Sequence, residues 1–311
     1  MNSVPAVAQT SGRGAARAAR RRLRRHDGAA HRAAPGGTDR RPGWVTYAIL
    51  TVVLLASVAP LWFAVLLASS DPATIARERI PSPLPGGRLL ANIQVVLGSD
   101  VNFWPALWNS VVVAVITALS VALFSTLAGF SFAKLDFRGR TPLLVFVVAT
   151  MAVPTQLSVV PLFILMSRLG WIGELKSVIV PGLVTAFGVF WMTQFLRDSL
   201  PTELVEAART DGCSLFRTFW HVALPAARPA AVLLALFTFV GSWTTFFWPY
   251  IALGSDNPTL PVALQLLKAS YFKDYSMIMA GVVTATIPLV LVFIVAGRHL
   301  VSGIMQGAVK G

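Results

Sequence analysis

Long apolar runs without a charged side chain recur along this chain of 311 residues. A helix needs about 20 apolar residues to cross the hydrocarbon of a bilayer, and these runs are long enough. Because every backbone polar group in lipid must be bonded within the protein, such runs predict helices. The pattern therefore predicts an all-α integral membrane protein with about six transmembrane helices, at 44–68, 109–133, 142–166, 177–196, 231–253 and 277–297.

Polar segments between these runs predict the loops and the orientation. The stretch of about 40 residues after the first span is rich in proline and glycine, which is typical of an outer loop and not of a helix. Lys and Arg favour the cytoplasmic side of a membrane. The basic N-terminus and the short basic turn at 134–140 therefore predict a multi-pass protein of the cytoplasmic membrane, with both termini and the loop at 197–230 in the cytoplasm.

The composition agrees with a membrane protein and separates the N-terminus from the rest. The chain is 55% apolar and 13% charged, whereas soluble domains carry about 25% charged residues. Of the net charge of +13, residues 1–43 contribute +8, from ten Arg and two Asp. This Arg-rich tail has no apolar period, so we predict a disordered cytoplasmic segment beside anionic lipid, with nucleic-acid binding as the less favoured alternative. Residues 44–311 form the membrane domain.

The predicted spans contain no energy source of their own. None of the thirteen acidic residues, and no Lys or Arg, falls within a span, whereas ion-driven carriers usually place such groups there. The sequence contains no G-x-x-x-x-G-K-[ST] phosphate loop and no metal-ligand cluster, and Cys213 is its single cysteine. We therefore predict a chain that is not an enzyme and has no catalytic residue, metal or cofactor; a transported solute would be driven by a partner.

The cytoplasmic segment 199–225 predicts two short helices joined by a turn. Thr202 is suited to cap the first helix. Ala207 and Ala208 favour a helix and add almost no bulk, so that another surface can approach closely. Gly212 stands where the helix would turn, because glycine adopts positive φ without strain.

The second predicted helix has a large apolar face. Ser214 is suited to cap it, and Leu224 and Pro225 are expected to end it before the membrane. The spacing of its apolar side chains puts them on one face, formed by Leu215, Phe216, Phe219 and Trp220. Such a face needs either a protein partner or a lipid surface, and the residue pattern leaves both open.

Seven residues of this segment stand at a spacing found in one family of transport proteins. Glu206-Ala207-Ala208, Gly212, Val222 and Leu224-Pro225 match E-A-A-x₃-G-x₉-I-x-L-P, with Val222 in place of isoleucine. The segment thus resembles the EAA loop of importer permeases of the ATP-binding-cassette (ABC) type. The resemblance covers nearly all of 44–311 and is strongest to the sugar-importer branch, the MalG-like permeases.

The resemblance implies that this chain works in a complex whose other subunits bind ATP and capture the sugar. The loop would be a coupling helix seated in a cleft of a separate ATP-binding subunit dimer, which would hold ATP and Mg²⁺. A second homologous permease would complete the pore, and an extracytoplasmic sugar-binding protein would meet the outer loop at about 254–275, with Asn257 and Pro258 at its tip. The coupling residues that the resemblance implies are Glu206, Ala207, Ala208, Gly212, Leu215, Phe216, Phe219, Leu224 and Pro225.

The resemblance also suggests a translocation path for a mono- or oligosaccharide. Residues 241–249 are similar to the family's G-x-W-N-x-F-x-W-P stretch, with Thr244 in place of asparagine. Uncharged polar and aromatic groups suit a sugar, and helix packing is the alternative for each of them. The candidates are Gln156, Ser158, Trp243, Thr244 and Trp248. The run at 297–311 resembles that of β-glucoside or cello-oligosaccharide importers. Import of another solute, or a membrane scaffold that transports nothing, are the alternative functions.

Overall fold

The computed structural model describes residues 43–77, 82–271 and 274–308, with side chains as far as Val295. The Arg-rich tail at 1–42, and with it the prediction of disorder, lies outside the described residues. The chain divides into one unit that ends at Val58 and a second that begins at Ala59, and the helical bundle discussed below belongs to the second. All regular structure in the described residues is helical, which confirms the predicted fold class.

The α-helices are α1 (Trp44–Ala68), α2 (Pro72–Arg77), α3 (Leu89–Leu97), α4 (Phe103–Lys134), α5 (Arg140–Thr150), α6 (Val159–Arg168), α7 (Lys176–Ile179), α8 (Ala186–Ser199), α9 (Thr202–Thr210), α10 (Leu215–Thr218), α11 (Leu224–Thr244), α12 (Phe247–Leu253), α13 (Leu260–Ser270) and α14 (Tyr275–Ala308). Two 3₁₀ turns, Thr155–Ser158 and Val180–Gly182, and a π turn, Phe219–Ala223, adjoin them.

In the described residues, five helical segments are long and apolar enough to cross a membrane. They are Trp44–Ala68, Phe103–Lys134, Lys176–Ser199, Leu215–Thr244 and Tyr275–Val295. A sixth candidate is a pair of shorter helices, Arg140–Thr150 and Thr155–Arg168, whose axes are inclined by 92°. The predicted span at 142–166 is therefore not one straight helix. Pro154 lacks an N–H donor and disfavours helical backbone at Val153, and the helix breaks just before it.

Contacts at the two ends of α4 show that this bent pair crosses the bundle once. At one end, Lys134 Nζ donates to the carbonyl of Arg197, 3.2 Å away, at the end of α8. At the other, Asn109 Nδ2 donates to Asn257 Oδ1 at 2.7 Å, and Asn257 Nδ2 donates to the carbonyl of Gly173 at 3.1 Å. The chain thus leaves the Lys134 end after α4 and reaches the Asn109 end by Gly173. The bent pair therefore counts as one span, and with α1 the described residues contain six candidate spans.

A hydrophobic cluster fills each half of the bundle. The cluster toward the Asn109 end includes Val96, Phe103, Trp243, Leu260, Leu267 and Met277. The cluster toward the Lys134 end includes Phe130, Met192, Leu196, Val205, Phe219 and Leu234. Small residues let the helices of this second half approach closely: a Cβ on Gly129 would stand 2.7 Å from the Cβ of Met192.

Two segments predicted as irregular outer loops contain helices. The stretch after the first span forms α2 and α3, where Val96 is fully buried. The segment at 254–275 forms α13, in which Val262, Ala263 and Leu267 are fully buried. The proline and glycine residues near these short helices led to the prediction of loops. A helix of 9 or 11 residues that packs on a bundle is stabilised by that packing and does not need a long apolar run.

Candidate functional site

The EAA segment forms a hairpin at the Lys134 end of the bundle. Its first arm, α9, begins at Thr202, with Pro201 before it and no capping hydrogen bond from a side chain. The prediction that Thr202 caps this helix is therefore wrong, since Thr202 is already helical and Pro201 supplies the extended residue that precedes it. Among the residues of α9, Val205 alone is buried, and it joins the cluster that contains Phe130.

The turn after α9 has the hydrogen bonds of a Schellman motif. The N–H of Gly212 donates to the carbonyl of Arg209 at 3.0 Å, and the N–H of Cys213 donates to the carbonyl of Ala208 at 2.9 Å. Gly212 has a φ of +82°, as predicted. A Cβ at Gly212 would find nothing within 4 Å, so the backbone dihedral angle, and not a lack of space, requires glycine here.

The second arm begins as predicted but does not end where it was expected. Ser214 Oγ accepts a hydrogen bond from the N–H of Arg217 at 3.3 Å and caps α10. The expectation that Leu224 and Pro225 end this helix is wrong, because the helix runs from Leu215 to Thr244. The π turn makes this continuity feasible: the N–H of Leu224 donates to the carbonyl of Phe219, and the wider turn relieves the contact between a proline ring and the preceding turn.

The apolar face of the second arm is divided between the core and the surface. Phe219 is 1% exposed and belongs to the core cluster, so its side chain positions the hairpin and is not available on its surface. Phe216 is 64% exposed and Trp220 41% exposed, and their rings pack edge to face with centroids 6.0 Å apart. The surface therefore presents Phe216 and Trp220, with Leu204 of α9 also exposed.

The remaining predicted coupling residues lie on the outside of the hairpin. Glu206, Ala207, Gly212, Leu215 and Pro225 are exposed, whereas Ala208 and Leu224 are half-buried. The exposed Ala207 leaves the backbone of α9 open to close approach, which suits the cleft of another protein.

A second candidate site consists of two adjoining cavities in the bundle, of about 380 and 330 Å³. Thr245 and Trp248 line both of them. The smaller cavity is also lined by the predicted residues Gln156 and Ser158. Together the two cavities bring the break in the third span next to the end of α11. The size of each is in the range of about 300–1,000 Å³ that small-molecule sites occupy.

Two of the predicted path residues lie elsewhere. Trp243 is 5% exposed and stacks on Phe239, with ring centroids 5.7 Å apart, in the core cluster toward the Asn109 end. Thr244 lines neither cavity, and its hydroxyl donates to the carbonyls of Val240 and Gly241. The predicted single span at 231–253 is also wrong: helix α11 ends between Trp243 and Trp248, because the ring of Pro249 is incompatible with a helical carbonyl at Thr245.

Most of the polar lining was missed at the sequence level. The larger cavity is lined by seven hydroxyl side chains, of Ser110, Thr117, Thr185, Thr238, Ser242, Thr245 and Thr259. The spacing of residues 238, 242 and 245 puts their hydroxyl groups on one face of a helix, and this polar face could have indicated a cavity lining from the sequence. No group of three His, Cys, Asp or Glu that could hold a metal ion occurs in the described parts of the chain.

Asn257 and Pro258 do not form an exposed tip, contrary to the prediction. Pro258 is buried and its carbonyl accepts from Asn109 Nδ2 at 2.9 Å, while Asn257 is half-buried between Asn109 and Gly173. The exposed turn lies just before them, at 254–256. The amide of Asn257 is held inward because it supplies both a donor and an acceptor to buried backbone and side-chain groups.

Comparison with known proteins identifies the family. Residues 125–301 match the family described as binding-protein-dependent transport system inner membrane component, and this match covers more than half of the chain. The chain belongs to this family. It is thus a multi-pass membrane permease of the ABC-transporter type, and the EAA loop and most of both cavities lie in the matched region.

Relatives of this permease are named as sugar transporters. It is 33% identical over 210 residues to the arabinooligosaccharides transport system permease protein AraQ of Halalkalibacterium halodurans, over 67% of this chain and 75% of that protein. It is 30% identical over 284 residues to the diacetylchitobiose uptake system permease protein NgcG of Streptomyces coelicolor, over 89% and 92%.

A solved structure supports the fold. The permease superimposes with a TM-score of 0.71 on a chain of a bacterial ABC transporter involved in the import of the acidic polysaccharide alginate, at 21% sequence identity. The similarity covers 82% of this permease and 95% of that chain. The two chains therefore share the same arrangement of helices.

Proposed function

We propose that this chain is a membrane-spanning permease subunit of an ATP-driven, binding-protein-dependent importer that carries a sugar across the cytoplasmic membrane. Family membership gives the transport class, and the names of the relatives favour a mono- or oligosaccharide as cargo. The particular sugar is a separate matter, and a β-glucoside stays a prediction.

The observation that carries the proposal is the geometry of the EAA hairpin. Its exposed surface comprises Ala207 of α9, the turn at Gly212 and the pair Phe216 and Trp220. The helix that bears this pair continues without interruption from Leu215 to Thr244, where it reaches the two cavities. A push on the hairpin by a partner would therefore be transmitted along one continuous helix to the cavities.

Each end of the bundle binds a different partner in this proposed function. An ATP-binding subunit dimer, which holds ATP and Mg²⁺, binds the hairpin at the Lys134 end, and this end faces the cytoplasm together with both termini. A sugar-binding protein meets the Asn109 end, where the turn at 254–256 is exposed. A second homologous permease completes the pore, and Gln156, Ser158 and Trp248 line the path through this subunit.

The test is reconstitution. The chain is co-expressed with its candidate ATPase and second permease, purified as a complex, and placed in liposomes with the binding protein. We expect ATP hydrolysis and sugar uptake that both require the binding protein. Uptake of a solute other than a sugar would contradict the assigned cargo, and stable binding of a cytoplasmic protein without any uptake would favour a scaffold instead.

A further inference from the structure

Two stretches of non-helical backbone meet at one place in the bundle. One is the break between Thr150 and Thr155, and the other follows Thr244, where Thr245 has extended backbone with φ of −68° and ψ of 124°. The cavity of about 330 Å³ is lined from both sides, by Thr155 to Leu162 and by Thr245 to Trp248. Non-helical backbone within a membrane is tolerated only where protein buries it or water reaches it.

The lining of both cavities is uncharged. No charged side chain and no histidine lines either cavity among the described residues. The lining combines hydroxyl groups, the amide of Gln156 and the aromatic rings of Phe187, Phe237 and Trp248. Hydroxyls and an amide offer both donors and acceptors, as the hydroxyls of a sugar do, and aromatic rings suit the apolar faces of a pyranose ring.

One hydrogen bond fixes the aromatic wall that the cavities share. Trp248 Nε1 donates to the carbonyl of Ser177 at 3.0 Å. This bond satisfies the single polar atom of the indole, so the rest of the ring contributes apolar surface. Thr245 stands beside it, exposed, with its hydroxyl hydrogen directed to the carbonyl of Gly241 at 2.6 Å. Its oxygen lone pairs remain able to accept from a ligand.

We infer that the junction of the broken third span with the end of α11, around Thr245, Trp248 and Gln156, is a subsite for neutral saccharides that excludes acidic ones. The inference rests on the proposed function and adds to it the class of sugar and the residues that select it. A uronate carboxylate that lies against this uncharged lining would lose part of its hydration without gaining a counter-ion from it, whereas a neutral sugar exchanges water for the hydroxyl and amide groups of the lining. This subunit then contributes to selectivity and does not rely on the binding protein alone.

The experiment measures whether a sugar protects a cysteine placed at the junction. Cys213→Ser removes the single native cysteine of the chain, and Thr245→Cys is added in the reconstituted complex with its binding protein. A water-soluble maleimide reports the reaction rate at this position. The matched control is Thr244→Cys, one residue away and outside both cavities. The neutral probe is whichever of lactose, cellobiose and arabinotriose the vesicles take up; the acidic probe is digalacturonate.

We expect the neutral sugar at saturation to slow labelling of Thr245→Cys about tenfold, since the bound sugar would cover this exposed position of the cavity lining. Digalacturonate at the same concentration should leave the rate unchanged, and neither sugar should affect Thr244→Cys. Equal protection at both positions, none at Thr245→Cys, or protection by digalacturonate would overturn the subsite. In those cases continued uptake of the neutral sugar would leave the proposed function intact, whereas vesicles that take up no sugar would contradict that function first.

A pair of conservative variants gives an independent readout. Thr245→Val removes a hydroxyl with little change of shape and should reduce the uptake rate about 2- to 10-fold, the loss expected for one hydrogen bond. Thr244→Val should leave uptake unchanged. Equal effects of the two changes would contradict a subsite at Thr245.

Discussion

The ring of Phe130 on α4 packs against the ring of Phe219 on the π turn, with centroids 6.0 Å apart and planes inclined by 48°. Phe219 is nearly inaccessible, while Phe216, one turn earlier, is largely exposed. The same helix therefore uses one aromatic residue to hold the hairpin on the bundle and another to offer a surface to a partner.

Truncation of these two residues should have different consequences. Phe219→Ala should destabilise the protein by about 3–5 kcal/mol, because it leaves a cavity in the core. Phe216→Ala should leave thermal unfolding of the purified permease nearly unchanged but weaken its binding to the ATP-binding subunit. Thermal unfolding in detergent and co-purification measure the two effects. Similar unfolding temperatures for both variants would contradict the assignment of Phe219 to the core.

Substitutions at Gly212 should separate backbone strain from bulk. Gly212→Val places a β-branched residue at positive φ, where a non-glycine residue costs about 1–2 kcal/mol or more. Since the position is open, Gly212→Asn is the matched control, because asparagine tolerates this conformation. We expect Val to abolish sugar-dependent ATP hydrolysis and Asn to preserve much of it. Full activity of the valine variant would show that the turn does not transmit the coupling.

The close packing of α4 on α8 can be tested by its effect on stability. A Cβ on Gly129 would lie 2.7 Å from Met192 Cβ and 2.9 Å from the backbone N of Thr193. Gly129→Ala should therefore destabilise the bundle by about 1–3 kcal/mol through overpacking. Gly241→Ala, also within a helix but with nothing within 4 Å of the added Cβ, should be neutral or stabilising. Thermal unfolding compares them, and equal shifts would argue against the packing.

The hydrogen bond between Asn109 and Asn257 should be measurable by a double-mutant cycle. Asn109→Ala, Asn257→Ala and the double variant are compared by thermal unfolding. We expect a coupling energy of about 0.5–1.5 kcal/mol, because the two amides interact directly. Additive effects within about 0.3 kcal/mol would indicate that the bond contributes nothing to stability.

Labelling of cysteines in intact cells tests which end of the bundle is cytoplasmic. Native Cys213 is half-buried in the hairpin turn, and Ser255 is exposed in the turn at the Asn109 end. An impermeant maleimide should label Ser255→Cys, in a Cys213→Ser background, without disruption of the membrane. It should label native Cys213 only after permeabilisation. The reverse result would invert the orientation and rule out a cytoplasmic ATPase at the hairpin.

The sequence by itself determined those features that depend on local constraints. The hydrocarbon thickness requires long apolar helices, so the number of crossings followed from the apolar runs. Positive φ favours glycine, so the turn at Gly212 followed from one residue in its helical context. The spacing from Glu206 to Pro225 was sufficient to identify the family, which the match over 125–301 confirms.

Only the tertiary structure decided which side chains of each motif are buried and which cavities they line. Phe216 and Phe219 are the same residue type in the same short segment. Phe130, about ninety positions earlier in the chain, packs on the ring of Phe219 and helps to bury it, whereas Phe216 stays exposed. Thr244 and Thr245 are adjacent and chemically identical, yet the helix ends between them and Thr245 alone faces the cavities. Burial and cavity formation depend on contacts between residues that are distant in the chain, and a local pattern does not contain that information.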